Sequence, residues 1–270
     1  MSAPLLEIQN VSKTFRRSRS EAVHAVRSVS LTVSVGETVA LVGESGSGKS
    51  TLGRIALGLL DPDSGHVLLG GQRIDAMSRA ELQGARRVIQ PVFQDPTSSL
   101  NPRRTIRELL GQALRFRDCD PVAESIRVLE EVGLSPGAQY LPRLPHELSG
   151  GQRQRVAVAR ALAVKPKIII ADEPLSGADV SVRGQLLNLF LDIRENDHVA
   201  FLMITHDIGV ARAFADRVAV MHNGVIVESG LAGDVLAAPR DPYTQRLVSL
   251  EPRIRKRATD TTSDTNASAQ

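Results

Sequence analysis

The sequence predicts an α/β fold in which a mostly parallel sheet is flanked by helices and interrupted by a helical insert. Apolar runs at residues 37–42, 168–172 and 199–205 are typical of buried strands. Alternating apolar and polar residues from 29 to 35 predict a half-buried strand, so the first third of the chain is β-rich. Apolar residues between 106 and 114 instead recur on one face of a helix. Strands on both sides of a helical stretch predict one layered α/β domain with an insert.

Local signals set several element ends. A capping box at residues 78–81 predicts the start of a helix. Asp120, followed by a proline, begins the next helix, and Gly133 ends it. The Asn-Gly pair at 223–224 lies between apolar runs and predicts a tight hairpin.

Composition excludes several classes of protein. The 33 basic residues are balanced by 30 acidic ones, which is too even to indicate a nucleic-acid partner. The single cysteine, Cys119, excludes an internal disulfide framework and a multi-cysteine metal site. No apolar run approaches the roughly 20 residues that span a bilayer, and the first residues lack the pattern of a signal peptide. We therefore expect a cytoplasmic protein that is peripheral if it works at a membrane.

The stretch LVGESGSGKST at residues 41–51 carries the clearest chemistry. It lies between a predicted strand and a predicted helix at residues 51–60, and it fits the phosphate-loop pattern. Glycines allow backbone N–H groups to turn towards an anion, Lys49 reaches the β- and γ-phosphates, and Ser50 binds Mg²⁺. The residues expected to bind nucleotide are Gly43, Glu44, Ser45, Gly46, Ser47, Gly48, Lys49, Ser50 and Thr51. The stretch indicates a site for a nucleoside triphosphate with Mg²⁺.

Two carboxylates follow a second buried strand. Asp172 ends the predicted strand, where α/β sheets present their ligands, and is expected to organise Mg²⁺. Glu173 comes next and is a candidate general base that polarises an attacking water. Alternatively, both residues simply end a strand before the turn at Pro174.

The segment LSGGQRQR at residues 148–155 predicts a second helix end that can hold an anion. Ser149 is a good N-cap, and Gly150 and Gly151 leave the first backbone amides uncovered. Together with the phosphate loop, this segment resembles the ATP-binding cassette (ABC) ATPase family, in which LSGGQ is the family signature. The resemblance implies that residues 149–152, including Gln152, complete the ATP site of the opposite subunit in a head-to-tail dimer.

The resemblance covers nearly the whole chain and implies further roles. Gln94 is similar to the family's Q-loop glutamine, which contacts Mg²⁺ or water and links the core to the helical insert. His206 is similar to the switch histidine, which senses the γ-phosphate, and it joins Gln94 and Glu173 in the expected catalytic set. Phe15 stands where the family places an adenine-stacking aromatic, although ordinary packing is an alternative. The expected metal set is Ser50, Gln94 and Asp172.

One loop departs from the family pattern. After the two carboxylates and Pro174 the family usually has serine-alanine-leucine-aspartate, whereas this chain has SGAD at residues 176–179. Asp179 is retained as a candidate nucleotide contact. This loop lacks the leucine of the family pattern, and the absence of that large apolar side chain puts tight communication between the subunits in doubt.

The sequence patterns and the resemblance together divide the chain into four expected regions. Residues 1–94 are the ATP-binding core with an antiparallel β subdomain, and residues 95–164 are the helical signature subdomain. Residues 165–250 form the second part of the core. Residues 251–270 are a basic tail that is expected to be disordered.

Two further segments narrow the branch of the family. QDPTSSLNPRRTI, from Gln94, and APRDPYTQRLVSL, ending at Leu250, resemble the importer ATPases for oligopeptides, dipeptides and nickel, in particular the shorter of two paired ATPases. The resemblance implies two integral-membrane permeases, a substrate-binding protein outside, and a place on the cytoplasmic face of the inner membrane. A heterodimer with a second ATPase is favoured, and a homodimer is possible.

Other functions stay open at this point. A soluble ABC ATPase acting on DNA or ribosomes usually has a coiled-coil insert, zinc cysteines or two cassettes, and none appears in this sequence. A phosphate-loop kinase would not need LSGGQ. No nucleic-acid partner is therefore expected.

Overall fold

The computed structural model describes residues 4–16, 22–95, 99–115, 117–177 and 179–250. The strands are β1 (Leu6–Arg16), β2 (Ala22–Val33), β3 (Thr38–Val42), β4 (Ser64–Leu69), β5 (Gln72–Arg73), β6 (Ile89–Phe93), β7 (Ile168–Asp172), β8 (Ala200–Thr205), β9 (Arg217–His222) and β10 (Val225–Leu231). The helices are α1 (Lys49–Ala56), α2 (Arg79–Val88), α3 (Ile106–Leu114), α4 (Pro121–Glu131), α5 (Gly150–Leu162), α6 (Val180–Asp197), α7 (Ile208–Phe214), α8 (Ala232–Ala237) and α9 (Pro242–Ser249). The expected tail at 251–270 and the loop residue Ala178 lie outside the described residues.

A six-stranded sheet forms the centre, in the order β10-β9-β3-β8-β7-β6. All neighbouring strands are parallel except β9 and β10, which form the hairpin predicted at residues 223–224. Every residue of β3 is buried, because strands lie on both sides of it and elements cover both faces. The carboxyl ends of β3, β7 and β8 meet at one edge of this sheet, where α/β folds bind ligands.

A second sheet of four strands, in the order β2-β1-β4-β5, is antiparallel throughout. One apolar cluster joins the two sheets through α1 and includes Leu6, Ile8, Leu41, Leu52 and Ile55. The phosphate loop therefore lies between two sheets that share one core. Both sheets and the insert agree with the predicted α/β fold.

The segment between the two halves of the core is helical, as predicted. Its helices α3, α4 and α5 pack around one apolar cluster to which Ile106, Leu109, Leu110 and Leu114 contribute. Asp120 caps α4 by accepting hydrogen bonds from the backbone N–H groups of the first turn. Among the described residues, no helix is long and apolar enough to cross a membrane.

Two element ends differ from the prediction. Strand β2 ends at Val33, because the chain turns at Gly36 with φ of +70°, and Val35 is consequently 61% exposed. The helix predicted for residues 51–60 begins at Lys49 and ends at Ala56, because Gly58 adopts φ of +61°. Apolar periodicity continued past both ends, and the turn residues decided where each element stopped.

Candidate nucleotide site

The three glycines of the phosphate loop have different reasons to be glycine. Gly43, Gly46 and Gly48 have φ of +154°, +83° and +108°, a region that residues with side chains rarely adopt. A Cβ at Gly43 would lie 2.2 Å from the carbonyl oxygen of Met221, and one at Gly48 would lie 2.0 Å from that of Ala25. A Cβ at Gly46 would have no heavy atom within 4 Å. The loop is therefore tightly enclosed at both ends and open in the middle.

Lys49 lies inside this loop and is only 4% exposed. Its Nζ donates hydrogen bonds to the carbonyl oxygens of Gly43 and Glu44, at 2.7 and 2.8 Å. Burial lowers the pKa of the Lys49 ammonium group, although the nearby carboxylates of Glu173 and Asp172 act in the opposite direction. The ammonium group is thus held at the inner surface of the loop, where phosphate oxygens would compensate its burial.

The first helix begins at the loop itself. Gly48 is the N-cap residue of α1, and no side chain caps the first turn. The N-terminal backbone N–H groups of a helix are suited to anions when no side chain occupies them. This end of α1 faces the loop, as the sequence predicts.

Ser50 and Asp172 form the group that is best suited to a cation. The Ser50 hydroxyl donates a hydrogen bond to Asp172 Oδ1 at 2.9 Å. Burial raises the pKa of Asp172, and the neighbouring Glu173 charge raises it further, so a nearby cation would stabilise the carboxylate. Within the described ranges, no cluster of three or more His, Cys, Asp or Glu side chains could hold a metal by itself. A hydroxyl and one carboxylate fit Mg²⁺, which takes few protein ligands beside phosphates and water.

Glu173 and His206 are brought together across the ends of β7 and β8. His206 Nδ1 lies 3.0 Å from Glu173 Oε2, and the Glu173 N–H donates to the Ile204 carbonyl at 2.8 Å. Glu173 adopts φ of +48°, an uncommon conformation for a residue with a side chain. The spacing in the sequence predicted neither contact.

The predicted residues divide between two cavities. The phosphate-loop cavity, of about 430 Å³, is lined by Glu173 and by residues of three segments, 23–27, 45–51 and 223–224. Phe15 does not line it. However, Phe15 pairs with Val23 in the register of β1 and β2, and both side chains are 42% exposed. Since Val23 lines the cavity, an exposed apolar pair adjoins it.

The signature cavity, of about 500 Å³, lies elsewhere on the chain. It is lined by Gln94, by Ser149 and the first two residues of α5, and by residues of the loop at 174–179, including Asp179. Gln94 Nε2 donates to Ser176 Oγ at 3.2 Å. Ser149 caps α5, and the Gln152 side chain accepts from the Ser149 N–H, so Gln152 completes a capping box. The signature residues and the phosphate loop of this chain therefore do not share one cavity.

Sequence reasoning missed part of the wall around the loop. The phosphate-loop cavity is also lined by β2, through Val23, His24, Ala25 and Arg27, and by the hairpin turn at 223–224. The Gly224 N–H donates to the Ser47 carbonyl at 3.0 Å. Tyr243 also contacts the loop, because its hydroxyl accepts a hydrogen bond from the Glu44 N–H at 2.9 Å. The Asn-Gly signal predicted the hairpin, but nothing local in the sequence showed where the turn would lie.

Comparisons with curated proteins find close relatives. The chain is 47% identical over 259 residues to the glutathione import ATP-binding protein GsiA of Shigella dysenteriae serotype 1, and 46% identical to GsiA of Escherichia coli strain K12. Each alignment covers 92% of this chain and 41% of the relative. The chain thus spans about two fifths of the length of the curated relatives it matches.

Solved structures show the same architecture. A dimeric ATP-binding cassette, MJ0796, bound to ADP and Pi in a post-hydrolysis state, is 32% identical with a TM-score of 0.75, covering 84% of this chain and 98% of that one. Also similar is cbiO1 from Clostridium perfringens, part of the ABC transporter complex cbiONQ, at 28% identity and a TM-score of 0.75, covering 88% of this chain and 92% of that one. The profile of the ABC transporter family matches residues 26–176. The chain belongs to the ABC transporter family and has the fold of its ATP-binding cassettes, which confirms both predictions.

Proposed function

We propose that this chain is the ATP-binding and ATP-hydrolysing subunit of an ABC importer that takes up peptides or a related small solute such as nickel. The observation that carries the ATPase assignment is the grouping of Lys49, the Ser50–Asp172 pair and the Glu173–His206 pair beside one phosphate loop. The importer assignment is supported by relatives that are named glutathione import ATP-binding proteins.

In the proposed site each group has a separate task. The loop amides and Lys49 would hold the β- and γ-phosphates, and Ser50 and Asp172 would hold Mg²⁺. Gln94, which lines the signature cavity, would contact the ion directly or through water. Such an ion would neutralise negative charge that develops on the phosphates during transfer. Phe15 covers the adenine from the apolar surface beside the cavity. These roles agree with the burial of Lys49 and with the raised pKa of Asp172.

Glu173 is the proposed general base. One of its carboxylate oxygens contacts His206 Nδ1, which leaves the other oxygen to accept a proton from the attacking water. His206 thereby orients the carboxylate and reports the position of the γ-phosphate. The left-handed backbone of Glu173 agrees with a residue whose orientation is fixed for function.

Substitution of the two central residues tests the chemistry. Glu173→Gln should retain ATP binding and lower turnover at least about 100-fold, because the amide cannot accept the proton. Lys49→Ala should instead weaken ATP binding itself. Calorimetric titration with MgATP and phosphate release give both quantities. Glu195→Gln, an exposed change on α6, is the matched control, and turnover near wild type in Glu173→Gln would remove Glu173 from the mechanism.

We also infer that a second ATPase subunit completes the site. The phosphate loop of this chain does not line the signature cavity, which supports a contact of residues 149–151 with a nucleotide held by another subunit. The departure at residues 176–179 favours a heterodimer whose partner has the standard loop. We expect the isolated chain to be a monomer of low activity, since two half-sites without permeases give little association energy.

Reconstitution distinguishes a heterodimer with a second ATPase from a homodimer of this chain. Adding the second ATPase and the permeases should raise ATPase activity well above the sum of the separate parts. Ala178→Leu should raise activity of the chain alone by restoring the apolar side chain. Gly177 should be left unchanged, because its φ of +74° would strain an alanine. Full cooperative activity from a purified homodimer would show that no second kind of ATPase is needed.

The proposed place of the subunit is the cytoplasmic face of the inner membrane, bound to two permeases, with a substrate-binding protein outside. The helical segment at residues 95–164, joined to the core through Gln94, would receive a short permease helix. Gln94→Ala should then lower transport in vesicles more than it lowers nucleotide affinity. Unchanged transport would exclude this route of coupling, and co-purification with nucleic acid instead of permeases would contradict the importer assignment.

A further inference from the structure

Tyr243 lies at the start of α9, far along the chain from the phosphate loop, yet the two are in contact. Its hydroxyl accepts a hydrogen bond from the Glu44 N–H at 2.9 Å, and the side chain is only 6% exposed. The Glu44 carbonyl oxygen in turn accepts from Lys49 Nζ at 2.8 Å. Both polar groups of the Glu44 backbone are therefore bonded within the protein. The same residue links Tyr243 to the lysine of the loop.

A second contact joins Tyr243 to the hairpin beside the loop. The rings of Tyr243 and His222 are stacked, with centroids 3.9 Å apart and planes inclined by 28°. His222 ends β9, directly before the turn whose Gly224 N–H donates to the Ser47 carbonyl at 3.0 Å. The phosphate loop is thus bonded at two backbone points, Glu44 and Ser47, by elements that contact each other.

The position of Tyr243 is itself fixed by the sheet. Asp241 caps α9 and accepts from the Tyr243 N–H at 2.8 Å. The Glu228 carboxylate on β10 accepts from the backbone N–H groups of Arg240 and Asp241 at 2.9 and 3.1 Å. A hydroxyl held in this way can constrain the loop, because neither the helix start nor the ring is free to follow a displaced Glu44.

We propose that Tyr243 is a positioning residue for the phosphate loop: its hydroxyl fixes the Glu44 peptide, whose carbonyl fixes Lys49, and nucleotide affinity depends on this link. The Glu44 N–H is accordingly an anchor of the loop and not a phosphate ligand. A loop that is already ordered loses less conformational freedom on binding, so it binds more tightly. The proposal rests on the proposed function, since it assumes that the loop binds nucleotide.

Tyr243→Phe is the decisive variant, because it removes the hydroxyl and retains the ring that stacks on His222. The chain has only two tyrosines, so Tyr140→Phe in the helical segment is the matched control. Calorimetric titration of the full chain with MgADP should give a dissociation constant about fivefold higher for Tyr243→Phe, which corresponds to about 1 kcal/mol. Tyr140→Phe should leave it unchanged. A lower unfolding temperature with unchanged affinity would show a merely structural role and overturn the proposal.

Hydrogen exchange provides a readout that does not depend on the variant. In the nucleotide-free wild-type chain, the Glu44 amide should exchange much more slowly than those of Ser45 and Gly46, and it should remain slow when MgADP is added. Rapid exchange at Glu44 in either state would overturn the proposal, even if Tyr243→Phe failed to fold. Failure of the wild-type chain to bind MgADP would overturn the proposed function, a result distinct from binding that is indifferent to Tyr243→Phe.

Discussion

The phosphate loop and the signature segment use the same device, glycines at the start of a helix, in very different surroundings. At Gly48 the chain has φ of +108°, and a Cβ would lie 2.0 Å from the Ala25 carbonyl oxygen. At Gly150 no heavy atom lies within 4 Å of a Cβ. A Cβ at Gly151 would lie 3.2 Å from its nearest heavy atom, Val182 Cγ1, which is the end of a side chain.

The difference separates two reasons for a glycine. The fold of this chain requires Gly48, because any side chain would collide with backbone of another strand. The fold does not require Gly150, the first residue of α5, where alanine is the better helix former. The structure of this chain thus gives no reason for Gly150, and the proposed partner at the exposed start of α5 would supply one. A phosphate bound on a second subunit would be such a partner.

The largest effect that tests this comparison is expected from Gly48→Ala. It should lower the free energy of unfolding by at least about 2 kcal/mol and abolish nucleotide binding, because both the backbone conformation and the close contact oppose a side chain. Gly70→Ala is the control, since Gly70 has φ of +57° but nothing within 4 Å. It should cost about 1 kcal/mol. If urea unfolding showed the same loss of unfolding free energy for Gly48→Ala and Gly70→Ala, the close contact with Ala25 would make no contribution.

A smaller effect of opposite sign is expected from Gly150→Ala. It should stabilise the isolated chain by roughly 0.5 kcal/mol and lower the ATPase activity of the assembled transporter. Gly84→Ala in α2 is matched, because that position is also helical and open. It should stabilise the chain without loss of activity. If assembled Gly150→Ala were fully active, nothing would approach the start of α5 closely enough to exclude a methyl group.

The smallest effect concerns the charge at the loop. Because burial raises the pKa of Asp172, its carboxylate is less stable in the folded than in the unfolded chain at neutral pH. Asp172→Asn should therefore stabilise the nucleotide-free chain slightly at pH 7. This gain should shrink as the pH falls through the raised pKa and vanish below the ordinary value of 3.8. Urea unfolding from pH 4 to 7 would show it, with exposed Asp192→Asn as control; a gain independent of pH would contradict the account.

Local features of the fold were predictable because a few neighbouring residues determine them. The capping box at Ser78 and the N-cap at Ser149 form as the sequence predicts, since each depends only on residues within one helical turn. Val35 was predicted wrongly, because apolar alternation continues past the point where Gly36 turns the chain. Periodicity describes which face is buried, whereas a turn decides where the strand stops.

The same limit applies to the site. Residues 43–51 and the pair Asp172–Glu173 could be predicted because contiguous residues carry their chemistry. The contact between Glu173 and His206, and that between Glu44 and Tyr243, join residues that are far apart in sequence. Such contacts follow from strand order and packing, which no local spacing reveals.

The strand order also sets when the loop can form during synthesis. Strand β3 emerges early from the ribosome, yet its only neighbours in the described sheet are β8 and β9, which emerge much later. Until then the loop lacks the Met221 carbonyl that encloses Gly43. Pairing between such distant segments is slow, because a long stretch of chain must close before any contact compensates the lost entropy. A nascent chain would therefore acquire its nucleotide site in one late step, when β8 and β9 pair with β3.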